Sequence, residues 1–233
     1  LSNGNWKPEF DPLKSTGFKS KDYTEGNAWQ YLWLVPQDVH GLVDLLGGES
    51  TFEKRLDTFF TLKTDEGEEV LADLSGLIGQ YAHGNEPSHH IAYLYSYVGK
   101  QWKTAEKVHY ILTNFYDNRP DGIIGNEDCG QMSSWFVFSS IGFYPLFPAS
   151  KTYVIGSPLF ESSRIKLANG KTFTIKALNQ GKGNIYVKGI SLNGKPYPRS
   201  YITHEIILKG GVMEITMDDK PNYGFGAASA TRP

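Results

Sequence analysis

The stretch DGIIGNEDCGQMSSW, residues 121–135, decides how the rest of the chain is interpreted. Its acidic residues, Asp121, Glu127 and Asp128, lie among glycines, which permit sharp turns and close approach of a ligand. An uncharged aromatic run follows at 132–143. An acidic loop just before a buried element is a common way for a rigid scaffold to present polar chemistry, and a solvated surface turn is the alternative.

Two upstream segments have the same character. EGNAWQ at 25–30 and GNEPSHH at 84–90 each place a carboxylate beside Asn and Gly, just before an aromatic helical run. The similarity is too short to mark an internal repeat. Three such segments nevertheless favour functional loops over unrelated surface turns.

Composition bounds the class of protein. The chain has 233 residues, enough for one large domain or two small ones, and 39% of them are hydrophobic. Aromatic residues make up 14%, which suits either core packing or a carbohydrate-binding cleft. The net charge of −2 argues against nucleic-acid binding, and a single cysteine, Cys129, excludes an internal disulfide and a Cys-based zinc site.

The chain opens with LSNGNW, which is neither a signal peptide nor an initiator Met, so we expect a fragment or a processed product. The longest uncharged run, residues 129–150, is long enough to cross a bilayer. It contains Gln131, Pro145, Pro148 and several serines, and it is too polar for a membrane span.

Apolar spacing predicts about six helices and no strand in the first ~145 residues. The segment STFE at 50–53 resembles a capping box that starts one of them. The acidic segment 63–73 is predicted to be a loop. The predicted helices begin near 25–27, run over 39–46, start at 50, and run over 89–97, 104–115 and 131–142.

The pattern changes to period two over residues 152–218, which predicts β-strands. Asn169-Gly170 and Asn193-Gly194 predict tight turns, and Gly210-Gly211 is predicted to join two further strands. The last eight residues or so are expected to fray. The sequence therefore predicts an α+β protein, with a helical segment at 1–148 and an antiparallel β module at 149–233.

Several residues are candidates for chemistry. Glu25 lies at a helix start, where the dipole favours a carboxylate, but its aromatic surroundings would raise its pKa and suit a general acid if they bury it. Asn85 and Glu86 supply adjacent oxygens, which with Asp128 would suit calcium, although no EF-hand loop is present. The helix start after Gly130 is expected to keep Asp128 ionised.

Other reactive types are less convincing. The spacing of His83, His89 and His90 matches no common zinc motif, which leaves hydrogen bonding within the fold or contact with a sugar hydroxyl. Cys129 lacks an adjacent base. Separated carboxylates, an oxygen-rich turn and an aromatic helical scaffold together fit glycoside hydrolysis without requiring it.

Several segments of the sequence resemble a known family. The segments YTEGNAWQY at 23–31, GNEPSHHIAYLY at 84–95, the 121–135 stretch and YVIGSPLF at 153–160 resemble glycoside hydrolase family 92. The resemblance covers nearly the whole chain. It implies a calcium-dependent, inverting exo-α-mannosidase that acts on terminal α-linked mannose of oligosaccharides.

The resemblance also implies an architecture and a place in the cell. The matched region would be the C-terminal part of the catalytic region, with the later helices of an (α/α)6 barrel followed by the terminal β module. An N-terminal domain of the same protein would be its partner. The location would be secreted, periplasmic or at the cell surface.

Residue roles follow from the matching motifs. The resemblance implies that Glu25 is the general acid and Asp128 the general base. Some relatives carry Asp where this chain has Asn126, which cannot act as a base, so the base role falls on Asp128. Members that act on mannose-phosphate linkages depart from Glu at the acid position, so Glu25 implies an ordinary α-mannoside substrate.

The remaining assignments concern substrate and metal. The resemblance implies Ca²⁺ ligation by Asn85, Glu86 and Asp128. Substrate contacts are assigned to Trp29, His89 and Glu127. A non-catalytic carbohydrate-binding module and, less favoured, an interaction scaffold formed by the β module are the alternatives to an enzyme.

Overall fold

The computed structural model describes residues 2–6, 8, 10–13, 23–63, 74–181 and 183–233. Helices precede strands, and most of the predicted acidic loop at 63–73 lies outside the described residues. The α-helices are α1 (Ala28–Tyr31), α2 (Val39–Leu45), α3 (Glu49–Thr61), α4 (Gln101–Asn114), α5 (Gln131–Ile141) and α6 (His204–Leu208). The 3₁₀ helices are Glu86–Ser88, Ile91–Val98, Asp128–Gly130, Pro148–Ser150 and Ser229–Thr231. The strands are β1 (Leu77–Ile78), β2 (Tyr81–Ala82), β3 (Phe143–Tyr144), β4 (Thr152–Ile155), β5 (Ser162–Lys166), β6 (Thr172–Leu178), β7 (Tyr186–Leu192), β8 (Lys195–Pro196), β9 (Tyr201–Thr203) and β10 (Gly211–Asp218).

The helical part is built around an aromatic core. Trp33 is fully buried, and its ring meets Phe52 and Phe59 edge-on at centroid distances of 5.4 and 5.8 Å. Phe52 and Phe59 belong to the predicted apolar stripe of α3, together with Leu56 and Phe60, and all four are buried. Edge-to-face aromatic pairs add to the free energy gained from buried area, so α3 and the α1–α2 region form one unit.

The helix predicted at 89–97 is the 3₁₀ helix Ile91–Val98, which ends at Gly99 in the left-handed conformation. Tyr97 is half-buried in it and the other residues are buried. A helix that is apolar all round lies within the core. α4 follows at once and begins at Gln101, three residues before the predicted start.

Helix capping differs from the prediction. The SerThrPheGlu segment at 50–53 is not a capping box, since α3 begins at Glu49 after Gly48 and has no side-chain cap. A capping box occurs instead at α1, where the Asn27 and Gln30 side chains each bond the other residue's backbone. The Asn-x-x-Gln pattern offers the same donors and acceptors as the commoner Ser/Thr-x-x-Glu pattern.

The second part contains two sheets, with strand orders β5-β6-β10-β7-β8 and β3-β4-β9. The predicted turns are confirmed, because Asn169-Gly170 connects the antiparallel pair β5–β6 and Asn193-Gly194 connects β7–β8. β6 and β10 pair in parallel, whereas the other strand pairs among the described residues are antiparallel. The predicted module is therefore antiparallel except at this one pair.

Period-two burial gives this part its own core. Phe173, Ile175 and Ala177 on β6, and Met213, Ile215 and Met217 on β10, are buried as the alternation predicts. The join predicted at Gly210-Gly211 is wrong, because the short helix α6 precedes it and a strand follows. α6 has only five residues, which is too short to show a helical apolar period. The sequence pattern therefore could not distinguish it from an extended segment.

The prediction of no strand in the first ~145 residues is also wrong. β1 and β2 form a hairpin of two residues a side, and β3 pairs with β4 across position 148. Strands of two residues are too short to show alternation. None of the helices within the described residues is long and apolar enough to cross a membrane.

The C-terminal residues are anchored, contrary to the fraying expected of a chain end. The Ser200 backbone N–H donates to the Thr231 carbonyl at 2.8 Å. The Arg232 guanidinium donates to the Ala227 carbonyl through Nε at 3.0 Å and Nη2 at 2.6 Å, and Nη1 lies 2.6 Å from Glu49 on α3. The last residues thereby fasten the end of the β module to the helical part.

We expect Arg232→Ala to lower the free energy of unfolding by about 1–2 kcal/mol, because it leaves the Ala227 carbonyl without its charged donor. Glu49→Gln should cost about 0.5 kcal/mol or less, because the Glu49 side chain is mostly exposed and surface ion pairs contribute little. Denaturant unfolding of both variants measures the difference. Equal losses would show that the ion pair, not the carbonyl contact, holds the tail.

Candidate active site

The segment that begins α1 is fastened to the β1–β2 turn. The Asn27 side-chain amide donates to Gln80 Oε1 at 2.8 Å, and Gln30 Nε2 donates to the Gln80 carbonyl at 3.0 Å. Asn27 and Gln80 are both buried. A buried amide pair with its groups satisfied fixes geometry, so residues 25–30 have a defined place beside residues 79–82.

Glu25 lies next to the Asn85–Glu86 turn. The Asn85 side-chain amide donates to the Glu25 carbonyl at 2.9 Å. Glu25 is half-buried and has φ of 52°, a left-handed conformation that costs a residue other than Gly about 1–3 kcal/mol. The surrounding contacts therefore hold the Glu25 backbone in place, and the first two sequence segments meet here.

The third segment reaches the same place through its glycines. The loop is closed at its neck by the Asp117 N–H, which donates to the Gly122 carbonyl at 2.8 Å. Gly125, at φ of 77°, packs so tightly that an added Cβ would lie 2.9 Å from the Gly84 Cα atom and 2.6 Å from Ser75 Oγ. The loop backbone thus contacts the backbone beside Asn85.

Glu127 caps α5. Its carboxylate accepts hydrogen bonds from the Met132 N–H at 3.1 Å, from the Ser133 N–H at 3.1 Å and from the Ser133 hydroxyl. The two N–H groups have no acceptor within the helix, because they lie in its first turn, where a negative charge is also favoured. The assignment of Glu127 to substrate binding stays a prediction, and in this structure both of its oxygens serve the helix.

Asp128 has a different setting. It is exposed at the first position of the 3₁₀ helix 128–130, and no other described residue bonds its carboxylate. The Met132 and Ser133 N–H groups at the start of α5 bond Glu127 and not Asp128. Cys129 at φ of 53° and Gly130 at φ of 76° turn the chain between them. The Asp128 carboxylate is therefore free to meet solvent or a ligand.

The three histidines lie beneath the segment rather than on its surface. Burial lowers the pKa of His83 and of His90, and it lowers the pKa of His89 to about 4, so the rings are neutral near pH 7. His89 Nε2 lies 3.0 Å from the His83 carbonyl, and its Nδ1 lies 3.1 Å from Gln131 Nε2. In this structure both ring nitrogens of His89 are bonded within the protein, and the assignment of His89 to substrate binding stays a prediction.

The predicted metal residues show one feature that suits a cation. Glu86 Oε1 is buried and, like Ser75 Oγ and Trp33 Nε1, has no hydrogen-bond partner among the described residues, although buried polar atoms are normally satisfied. Asn85, Glu86 and Asp128 lie on two segments that touch through Gly84 and Gly125. Within the described ranges, no group of three or more His, Cys, Asp and Glu residues is arranged to hold a metal. Calcium also binds the oxygens of side-chain amides and backbone carbonyls, which these four residue types do not represent.

Two grooves flank α5. One, of about 450 Å³, is lined by Tyr116, Ser133 and Phe136 among others, and one of about 410 Å³ is lined by Gln131, Ser134 and Tyr144 among others. Glu25, Asn85 and Glu86 line neither groove. The candidate site lies where hydrogen bonds and close contacts join the three segments, because those segments bear the candidate carboxylates. Trp29 is half-buried against the helical core.

Sequence reasoning missed three residues that bond the segments of this site, namely Gln80, Tyr116 and Gln131. Gln80 bonds the α1 segment, Tyr116 contacts His83, and Gln131 contacts His89. A glutamine or tyrosine in an aromatic run looks like ordinary packing or surface. Position 131, directly after the acidic loop, was the one available signal.

Comparison with known proteins gives a consistent result. The family model described as the glycosyl hydrolase family 92 catalytic domain matches residues 1–219. A protein from Arthroderma benhamiae, named an uncharacterized secreted glycosidase, is 33% identical over 236 residues, which cover 96% of this chain and 28% of that protein.

Solved structures agree with the sequence match. A family GH92 α-mannosidase from Bacteroides thetaiotaomicron, in complex with mannoimidazole, is 42% identical with a TM-score of 0.94, over 100% of this chain and 31% of that one. A family GH92 inverting mannosidase from the same organism is 35% identical with a TM-score of 0.85, over 100% of this chain and 32% of that one. The chain thus spans about a third of the length of these relatives.

The close approach of Gly125 to Gly84 can be tested with two matched glycines. Gly125→Ala should lower the free energy of unfolding by about 2–3 kcal/mol, through left-handed strain and the clash with Gly84 and Ser75. Gly130→Ala has almost the same φ but open space around it, and should cost only about 1 kcal/mol. Chemical denaturation compares the variants, and equal costs would mean that the loop does not rest on the Gly84 backbone.

Proposed function

Because this chain belongs to glycosyl hydrolase family 92, we propose that the protein hydrolyses terminal α-linked mannose from mannosides, with inversion and with the assistance of calcium. The observation that carries the proposal is the meeting of three separate segments, which bear Glu25, Asn85–Glu86 and Asp128. The similarity to solved structures of family GH92 mannosidases supports it. The helices α1–α5 would then be part of the (α/α)6 barrel that the resemblance implies.

Glu25 is proposed as the general acid. Its backbone is held by Asn85 in a left-handed conformation, which fixes the direction in which its side chain leaves the chain. The acid must deliver a proton to the glycosidic oxygen as the bond to the leaving group breaks. A fixed backbone next to a buried amide cluster suits a group that must meet one oxygen of the substrate.

Asp128 is proposed as the general base. Its carboxylate is exposed and bonded to no other described residue, so it is available to take a proton from an attacking water. Inversion requires room for that water, and the two carboxyl groups of inverting enzymes stand about 6.5–9.5 Å apart. Asn126 carries an amide and cannot share the role.

Asn85, Glu86 and Asp128 are proposed as protein ligands of calcium, and the orphaned Glu86 Oε1 supports this assignment. When bound, calcium would supply positive charge that grips sugar hydroxyls and favours distortion of the ring. Asn85 would have two functions, since its amide donates to Glu25 while its carbonyl oxygen is of the type that calcium prefers. Trp29, His89 and Glu127 stay proposed contacts of the sugar.

The proposal extends to partners and location. An N-terminal domain of the same protein is the proposed partner, because the similar structures are about three times as long as this chain. We propose a secreted, periplasmic or cell-surface location, supported by the similar protein that is named a secreted glycosidase.

The acid and base roles predict different responses to the leaving group. In the full-length protein, Asp128→Asn should lower kcat by about 10²–10⁴-fold on every α-mannoside. Glu25→Gln should do so on substrates with poor leaving groups, but lose about tenfold or less on aryl mannosides that need little protonation. The control is Asp121→Asn, which changes an exposed carboxylate of the same loop and should behave like the wild type. Steady-state kinetics on both substrate classes decide the roles. Mannoside binding without cleavage by the wild type would favour a carbohydrate-binding module instead.

Calcium gives a second test. Treatment of the full-length protein with a strong chelator should abolish hydrolysis and lower the melting temperature, and added Ca²⁺ should restore both, because a ligand that binds only the folded state stabilises it. Glu86→Gln should weaken calcium binding in calorimetric titration by about tenfold or more, because it removes a charged ligand. Unchanged activity after exhaustive chelation would remove the metal from the mechanism.

A further inference from the structure

A chain of buried hydrogen bonds runs beneath the acidic loop. The Tyr116 hydroxyl donates to the Met132 carbonyl at 3.1 Å and lies 2.7 Å from His83 Nε2. A hydroxyl has one proton, so Tyr116 must accept from His83 Nε2–H. The neutral His83 ring then accepts at Nδ1, from the Tyr81 hydroxyl 2.7 Å away. Every member of this chain has one defined direction.

A second branch starts from His89 and is equally defined. A carbonyl can only accept, so His89 Nε2–H donates to the His83 carbonyl at 3.0 Å. His89 Nδ1 is therefore the acceptor, and Gln131 Nε2 donates to it at 3.1 Å. The Trp135 indole N–H also donates to the His89 carbonyl at 3.0 Å. The first residue of α5 is thereby bonded to the segment that contains Asn85 and Glu86.

The two branches reach both ends of the acidic loop. Tyr116 precedes the loop and forms an isolated β-bridge with Ile123 at its neck, and Gln131 follows it directly. Both are joined to histidines on either side of the Asn85–Glu86 turn, at positions 83 and 89. Between these ends, Asp128 has no side-chain bond to another described residue, so its place is set by the backbone alone.

We infer that Tyr116 and Gln131 are positioning residues, which hold the loop that carries Asp128 against the Asn85–Glu86 turn through the imidazoles of His83 and His89. The inference rests on the proposed function, because accurate placement of Asp128 matters for the reaction only if Asp128 is the general base. A displacement of about 1 Å in a catalytic group can cost about a hundredfold in rate. A largely buried chain, in which each hydrogen bond has a defined donor and acceptor, gives that accuracy better than an exposed loop can by itself.

The test uses two variants and a matched control in the full-length protein. Tyr116→Phe removes the hydroxyl but keeps the ring, which is parallel to Trp135 within 4°. Gln131→Met keeps the length of the side chain but removes its donors. The control is Tyr93→Phe, because Tyr93 is fully buried and its hydroxyl bonds Ser139, in the second half of α5 and away from the loop.

We expect Tyr116→Phe and Gln131→Met each to lower kcat by about tenfold or more with little change in KM, since a displaced base slows the chemical step. Amide hydrogen exchange at residues 121–130 should be faster in both variants. Tyr93→Phe should lose stability but keep wild-type kcat and loop exchange. A merely structural role would lower stability in all three without separating kcat and loop exchange from the control.

Loop exchange and kcat within twofold of the Tyr93→Phe values in both variants would overturn the inference. Should one variant fail to fold, the other decides it. Loop exchange does not depend on activity. A wild type that leaves α-mannosides uncleaved would therefore reject the proposed function, while the exchange comparison would still decide whether the buried chain holds the loop.

Discussion

The contact between the Gly84 and Gly125 backbones is the constraint on which the candidate site depends. Two segments far apart in the sequence approach to a distance that excludes any Cβ atom, and this places the acidic loop beside Asn85. The Asn85 amide then extends the assembly to Glu25 by a hydrogen bond to its carbonyl. A site made of loops needs such fixed backbone contacts, because loops are otherwise the mobile part of a fold.

The layer under the site is polar and buried, which is an expensive arrangement unless every group has a partner. His83, His89 and His90 meet this condition, because each ring is hydrogen-bonded to another group of the protein. Burial lowers the pKa of each ring, so the layer is uncharged near neutral pH. Glu86 Oε1 differs from them, since among the described residues it is a buried oxygen with no hydrogen-bond partner, as are Ser75 Oγ and Trp33 Nε1. Of these three groups, only Glu86 carries a carboxylate.

The β module stabilises the helical part through contacts at its seam. Gln101, at the start of α4, donates to the carbonyls of Ile155 and Gly156 at 3.2 and 3.0 Å. The Tyr186 hydroxyl on β7 donates to Glu106 on α4 at 2.6 Å, and Arg232 reaches α3. α4 leads directly into Tyr116 and the acidic loop, so the position of the site depends in part on strands that contribute no residue to it.

The sequence by itself determined the division into a helical part followed by a mainly β part, the buried faces of α3, β6 and β10, the Asn-Gly turns and the three segments that meet at the site. These features are local, because apolar period and turn chemistry act between residues close in the chain. Tertiary structure alone decided the parallel pairing of β6 and β10, the anchoring of Arg232, and the capping of α5 by Glu127 rather than Asp128. Each of these depends on which of several equivalent donors or acceptors comes within about 3 Å, a distance set by packing and not by spacing along the chain.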